Sequence, residues 1–205
     1  MASYILVALV SYMIGSIMFS VIFTKRIKGF DVREKGSGNA GSTNVLRTAG
    51  KGVALLTLVC DIAKGLVAIG FALLMNKIDP VDNPEYLVQV AGILVVIGHT
   101  FPIFFKFKGG KGVATSLGII LLVNWRIGLI CLVFALLLMI LSRMVSLGSV
   151  SAAILFPVLT IFITDGYVVD GNYIIFGILL GALVCFNHRS NIKRLLNGTE
   201  NKLSF

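Results

Sequence analysis

Three lysines, one histidine and four glycines fall within Gly98-His99-Thr100-Phe101-Pro102-Ile103-Phe104-Phe105-Lys106-Phe107-Lys108-Gly109-Gly110-Lys111-Gly112, a polar interval in an oily chain. Glycine lets backbone N–H groups approach a ligand closely and lysine adds point charge, a combination suited to phosphate. It is not a Walker loop, which needs Ser or Thr after GxxxxGK and a preceding strand; here Gly112 follows Lys111. The plainer alternative is a basic turn between two membrane helices. His99 lies about two helical turns before the glycines. A lone histidine near a helix end is usually a structural hydrogen-bonder, although its near-neutral pKa suits it to accept a hydroxyl proton. Pro102 predicts a kink in the helix that carries them.

Two further polar runs share this chemistry. Gly36-Ser37-Gly38-Asn39-Ala40-Gly41-Ser42-Thr43-Asn44-Val45-Leu46-Arg47 alternates glycine with hydroxyl and amide side chains, offering a nest for an anion or a polyol. A flexible loop is the competing reading, because Gly, Ser and Asn are turn formers. In residues 187–200, Ile192, Leu195 and Leu196 at i, i+3 and i+4 predict a short amphipathic helix on the membrane surface, with basic side chains beside headgroups.

These segments need a scaffold, and composition supplies it. Hydrophobic residues make up 57% of the 205 and charged residues 13%, which predicts an all-α polytopic integral membrane protein. The net charge of +9 sits in short segments beside apolar runs, a pattern of loops facing anionic lipid and not of nucleic-acid binding. Cys60, Cys131 and Cys185 lie inside apolar runs without metal-ligand spacing and read as small buried hydrophobes.

No Lys or Arg precedes Lys25, so a retained first span is expected over residues 1–24. Further spans are expected at about 52–75, 86–105, 112–123, 127–142, 145–164 and 172–186, giving about seven, with the N-terminus outside and the C-terminus inside. Lys25, Arg26, Lys28, Arg33, Lys35, Arg47 and Lys51 outnumber Asp31 and Glu34 on the first inner segment. Asp79, Asp82, Glu85, Asp165 and Asp170 fall outside, with Lys77 and Arg126 as the basic residues there. The span at 112–123 is short for a hydrocarbon core of roughly 30 Å; fusing it with its neighbour around Trp125 as a re-entrant hairpin leaves about five spans and the same ends. Residues 1–205 are expected to form one domain. Asp61 and Lys64, one turn apart inside the second span, would each cost about 2.5 to 3.5 kcal/mol in lipid, so they should pair or line a polar cavity.

By the charge rule all three polar segments lie on the cytoplasmic face, with more cation and N–H donor than orientation requires. The expected ligand is a phosphorylated anion, met at the membrane surface by a second, greasy substrate. A transporter for an anionic metabolite would also explain basic loops, but it would normally show paired broken helices in repeated halves, and no second copy of either glycine segment occurs. A scaffolding protein would leave these segments without a purpose.

Residues 36–44, then Gly98-His99 through Pro102 to Phe107-Lys108-Gly109-Gly110-Lys111-Gly112-Val113-Ala114-Thr115, then Arg189, Asn191, Ile192, Arg194, Gly198 and Glu200 resemble the three motifs of the bacterial membrane glycerol-3-phosphate acyltransferases that use acyl phosphate, the PlsY family. The resemblance covers nearly the whole chain in order and includes Asp61-x-x-Lys64-Gly65 and Val145-Ser146-Leu147; Lys106 stands where the family need not be basic. It implies transfer of a fatty acyl group from acyl phosphate to the sn-1 hydroxyl of glycerol 3-phosphate, giving 1-acylglycerol 3-phosphate and inorganic phosphate, the first acylation of phospholipid synthesis. It also implies a seven-helix protein of the bacterial plasma membrane with its site on the cytoplasmic side. No metal, cofactor or coenzyme A is implied. The implied partners are glycerol 3-phosphate, acyl phosphate and membrane lipid, with a peripheral acyl-phosphate synthase as supplier of the donor.

The same resemblance assigns roles. Arg47, Lys108, Lys111 and the backbone of Gly109, Gly110 and Gly112 are expected to bind phosphate. Ser37, Asn39, Thr43, Asn44 and Asn191 are expected to make polar contacts to glycerol 3-phosphate. His99 and His188 are candidates for holding a substrate oxygen. Ser37, His99, Lys111 and Asn191 form the catalytic group; Arg189, Arg194 and Glu200 join the substrate contacts, and Asp61, Lys64 and Ser146 support them. Ser37 is a candidate covalent nucleophile, although direct attack on a mixed anhydride needs none. Single-cysteine labelling of intact vesicles should place positions 39, 111 and 191 on one side of the bilayer; labelling from opposite sides would contradict the charge-based topology.

Overall fold

The computed structural model describes residues 1–163 and 173–203, and the described residues form helices and loops without a strand. The helices are α1 (Ala2–Gly15), α2 (Phe19–Lys28), α3 (Ser42–Ala49), α4 (Lys51–Ile78), α5 (Pro84–Thr100), α6 (Val113–Val123), α7 (Trp125–Ser142), α8 (Val145–Phe162), α9 (Ile174–Asn187) and α10 (Arg189–Leu196). Among the described residues, five stretches are long and apolar enough to cross a bilayer: Ala2–Lys28, Lys51–Ile78, Pro84–Phe105, Trp125–Ser142 and Val145–Phe162. A sixth exists if α9 and α10 are one broken span, but a 69° bend separates them. α6 has 11 residues, about 16 Å of helix and short of a hydrocarbon core. By length and composition, then, five or six of the seven expected spans qualify among the described residues. Asp165, Asp170 and the expected boundaries at 164 and 172 lie outside the described residues.

Two compact units divide the chain, Met1–Ile119 and Ile120–Phe205. In the first, helices approach backbone to backbone at glycines, as membrane helices do where lipid gives no hydrophobic drive to associate. A side chain on Gly15 would collide with the Val95 carbonyl, and one on Gly98 with the Tyr12 carbonyl, so α1 and α5 are in direct contact. Gly65 and Gly118 do the same for α4 and α6, meeting the Thr115 and Ile62 carbonyls. The first apolar stretch is broken between α1 and α2 at Ser16, Ile17 and Met18. Tyr12 and Ser16, at that break, reach the chain after α5: the Tyr12 hydroxyl donates to the Phe101 carbonyl at 2.8 Å, and the Ser16 hydroxyl accepts from Ile103 N–H at 3.4 Å.

The expected kink at Pro102 is a helix end instead. α5 stops at Thr100, and Pro102 opens a short 3-10 turn, Ile103–Phe105. A proline removes a donor and disfavours helical backbone in the residue before it, so the helix terminates ahead of the ring.

In the second unit Gly148 of α8 meets the Ala135 carbonyl of α7, and Gly181 of α9 meets that of Ala153 in α8. Phe156 and Phe176 pack edge to face with centroids 6.2 Å apart. Arg143 turns the chain between α7 and α8 in a left-handed conformation, φ 59°, and its carbonyl accepts from Leu203 N–H at 2.7 Å.

Gly98→Ala should separate α1 from α5, because the new methyl meets backbone and not a movable side chain. A loss of about 1 to 3 kcal/mol is expected, read as a lower thermal midpoint in detergent; an unchanged midpoint would contradict the contact.

Candidate functional site

The first unit carries the first two polar segments, and one arginine joins them. α2 ends in Lys25, Arg26 and Lys28 and is closed by Gly29 in the left-handed region, φ 72°. Asp31 follows and is buried, at 5% exposure. Its carboxylate accepts from Arg33 N–H and Nε, both at 3.0 Å, and from a terminal nitrogen of Arg33 at 2.7 Å, with Lys25 Nζ 3.3 Å away. The Arg33 hydrogen bonds hold the Asp31 carboxyl down at about 2, outweighing the opposing effect of burial, while Asp31 pushes the guanidinium up. The pair is therefore fully charged at any physiological pH.

Beyond a 3-10 turn at Val32–Glu34, Gly36 and Gly38 take left-handed φ of 60° and 72° on either side of Ser37. Asn44 is the hub of this loop. Its Nδ2 donates to the carbonyls of Val32 and Lys35 at 3.0 Å and of Asn39 at 2.9 Å, and its Oδ1 accepts from Ser37 N–H at 3.0 Å. Asn44 is 2% exposed. The amide shapes the loop, because its donors and acceptor face backbone. Ser37 and Arg47 are exposed, and Asn39 and Thr43 are half-buried. The stretch expected as a loop also contains α3, which buries Val45 and Ala49 and opens at Ser42, and helix amino ends favour anions.

The second segment folds back on itself. Gly109 N–H donates to the Thr100 carbonyl at 3.1 Å and Gly110 N–H to that of His99 at 3.0 Å. Between them Lys106 and Phe107 both adopt left-handed backbone, φ 58° and 56°, uncommon for residues with side chains. One terminal nitrogen of Arg33 donates to the carbonyls of Phe105 at 2.8 Å and Lys108 at 3.2 Å. Lys108 is exposed, Lys111 is half-buried, and Gly112 turns into α6 with φ 85°.

Beneath this loop lies a buried ionisable group. Lys64 Nζ is 2.8 Å from Asp61 Oδ1, and His99 Nδ1 is 3.6 Å from the same oxygen. The Asp61–Lys64 pairing expected from spacing is present. Its geometry is that of a close charge contact without hydrogen-bond alignment at Oδ1, and His99 Nδ1 likewise has no hydrogen bond among the described residues. Lys64 Nζ also donates to the Gly15 and Ile17 carbonyls, each at 3.2 Å, at the break between α1 and α2. His99 is 3% exposed, and a side chain on Gly110 would strike its Nε2. This places His99 as a strut under Gly110, which accounts for the glycine.

The second unit holds the third segment. α9 turns into α10 at His188, whose Nδ1 lies 2.8 Å from the Val184 carbonyl. A carbonyl only accepts, so Nδ1 carries a proton. Buried Asn191 donates to Glu200 Oε1 at 3.1 Å, and Arg194 Nε donates to Oε2 at 3.0 Å. Glu200, expected to touch substrate, thus aligns an amide and a cation; a carboxylate would repel a phosphate. Arg189 stacks over Phe186, 4.7 Å from its centroid, and donates to its carbonyl. Ser146 is buried at the start of α8, its hydroxyl without a hydrogen-bond partner among the described residues. The amphipathic helix expected around Ile192, Leu195 and Leu196 is α10.

Within the first unit Asn44 holds Ser37 and Asn39, and Arg33 ties their segment to the Lys108 carbonyl; within the second, Glu200 joins Asn191 and Arg194. By sequence alone Asp31 and Arg33 are orienting charges. An acid and an arginine two residues apart, just before a glycine run, were the available sign of them.

Residues 5–198 match the family described as glycerol-3-phosphate acyltransferase. Proteins of that name from Clostridioides difficile and Nostoc sp. are 45% identical over 203 residues and 46% identical over 209. The alignments cover 98% and 96% of this chain and 96% and 90% of those relatives. Two crystal structures of PlsY, an integral membrane glycerol 3-phosphate acyltransferase, superpose with TM-scores of 0.85 for its glycerol 3-phosphate form and 0.84 for its lysophosphatidic acid form. Each is 37% identical and covers 98% of this chain and 96% of that one.

Asn44→Ala would leave three carbonyls and the Ser37 N–H without that partner, at about 1 to 3 kcal/mol for each buried group left unsatisfied. Trypsin should cut at Lys35 and Arg47 at least about tenfold faster in the variant; an unchanged rate would mean the amide does not hold the loop.

Proposed function

The chain belongs to the glycerol-3-phosphate acyltransferase family, and from that premise we propose that its donor is acyl phosphate and its acceptor the sn-1 hydroxyl of glycerol 3-phosphate. The products are 1-acylglycerol 3-phosphate and inorganic phosphate. The hydroxyl oxygen attacks the acyl carbon directly, an ester bond forms, and the carbon–oxygen bond to the donor's phosphate breaks. A phosphate oxygen takes the hydroxyl proton, since a phosphate with a second pKa near about 6 is basic enough. A mixed anhydride has a good leaving group, so the protein's work is orientation and neutralisation of charge.

The observation that carries this reading is the pair of glycine-rich loops, one bearing Ser37 and leading into α3 with Arg47, the other bearing Lys108 and Lys111, fastened together in one unit by Arg33. Arg47, Lys108, Lys111 and the Gly109, Gly110 and Gly112 backbone take phosphate. Ser37, Asn39 and Thr43 take the glycerol hydroxyls. Within the second unit, Asn191, Arg189 and Arg194, held by Glu200 and Phe186, and His188 are the polar groups assigned to substrate contact. Asn44, Asp61, Lys64, His99 and Ser146 support these groups. The chain works as one acyltransferase domain with about seven membrane passages, its N-terminus outside and its loops on the cytoplasmic face of a bacterial plasma membrane, as the excess of Lys and Arg between α2 and α4 favours. A lipid-borne donor then arrives from the bilayer, supplied by a peripheral acyl-phosphate synthase, and a soluble acceptor from the cytoplasm.

Detergent-purified protein incubated with acyl phosphate and glycerol 3-phosphate should release lysophosphatidic acid and phosphate, whereas acyl-coenzyme A should not replace the donor. Turnover with acyl-coenzyme A alone would overturn the donor assignment. Lys111→Ala should reduce turnover by about two orders of magnitude; near wild-type turnover by the folded variant would remove Lys111 from the reaction.

A further inference from the structure

We infer that Arg33 is a positioning residue for the phosphate-binding loop, acting through the two carbonyls that bracket the left-handed pair Lys106–Phe107. The inference rests on the acyl-transfer reading above. Two consecutive residues with side chains at φ 58° and 56° persist only where their surroundings impose that backbone. Arg33 does so from both flanks, donating to the Phe105 and Lys108 carbonyls while its guanidinium lies 5.8 Å from the centre of the Phe105 ring. The carbonyl it holds at Lys108 directly precedes Gly109-Gly110-Lys111-Gly112, so the height and direction of that loop follow from where Arg33 stands.

Arg33 is not itself placed to bind phosphate. Four of its five N–H donors are engaged by protein: Nε and one terminal nitrogen by Asp31, and both hydrogens of the other terminal nitrogen by the two carbonyls. Asp31 holds the planar fork from behind, is buried, and has Lys25 as a second cationic neighbour. Lysine could not reproduce this arrangement, because an ammonium is a point charge without the fork. The clasp also joins the segment bearing Ser37 to the segment bearing Lys111, so the two loops move as one body.

The predicted signature is a defect confined to one substrate. Arg33→Ala should raise the KM for glycerol 3-phosphate by at least about tenfold while the KM for acyl phosphate stays within about twofold. Arg33→Lys and Asp31→Asn should show the same selectivity, and Asp31→Asn keeps the falsifying comparison available if the arginine variants fold poorly. Guanidinium ion should restore part of the Arg33→Ala activity and none of that of Lys111→Ala. A wild-type KM for glycerol 3-phosphate in these variants, or an equal rise for both substrates with a lowered thermal midpoint and no guanidinium rescue, would overturn the inference. An inactive wild-type protein would instead overturn the reading on which it rests.

Discussion

A lysine and an aspartate buried within the helices of the first unit constrain everything around them. Neither charge can sit alone in an apolar surround without a cost of kilocalories. Asp61 and Lys64 therefore face each other, Lys64 takes up two carbonyls freed where α1 ends, and His99 closes on Asp61 from α5. Three helices are thereby held in register at one depth. The loop after α5 inherits that register, because Gly110 rests directly on the His99 ring and its N–H is bonded to the His99 carbonyl.

Function is built outward from that point by backbone and not by large side chains. Glycines let α1 meet α5 and α4 meet α6 at backbone distance, leaving no slack between the helices that present the loops. Above them, Gly36 and Gly38 turn around Ser37, Asn44 fills the centre, and Arg33 ties the result to the Lys108 carbonyl. On the proposed reading, N–H groups fixed in this way would need little reorganisation when a phosphate arrives, which is how preorganised electrostatics lowers a barrier. In the second unit a carboxylate performs the corresponding task, with Glu200 aligning Asn191 and Arg194.

Much of this was legible in the sequence, for definite reasons. Apolar runs long enough to span lipid announced α4, α7 and α8 nearly residue for residue, and the pairing of Asp61 with Lys64 followed from spacing and expense. What escaped was local. The composition of residues 36–47 is that of a turn, so α3 was hidden until Val45 and Ala49 found a core to bury against. Pro102 announces a disturbance but not whether a helix bends or stops. Asn44 and Glu200 carry the polar chemistry of ligands, and only their hydrogen bonds reveal that they serve neighbours. Arg33 looked like one more orienting charge, since a sequence does not say which cation meets two carbonyls about seventy residues away.

The central claim is that these loops form a fixed site for one phosphorylated acceptor. Equilibrium binding of radiolabelled glycerol 3-phosphate to the detergent-purified protein, with unlabelled glycerol and inorganic phosphate as competitors, tests it most directly. Saturable binding at one site, displaced by phosphate at higher concentration but not by glycerol and abolished by Lys111→Ala, is the predicted result. Absence of saturable binding, or binding indifferent to the loss of Lys111, would contradict it.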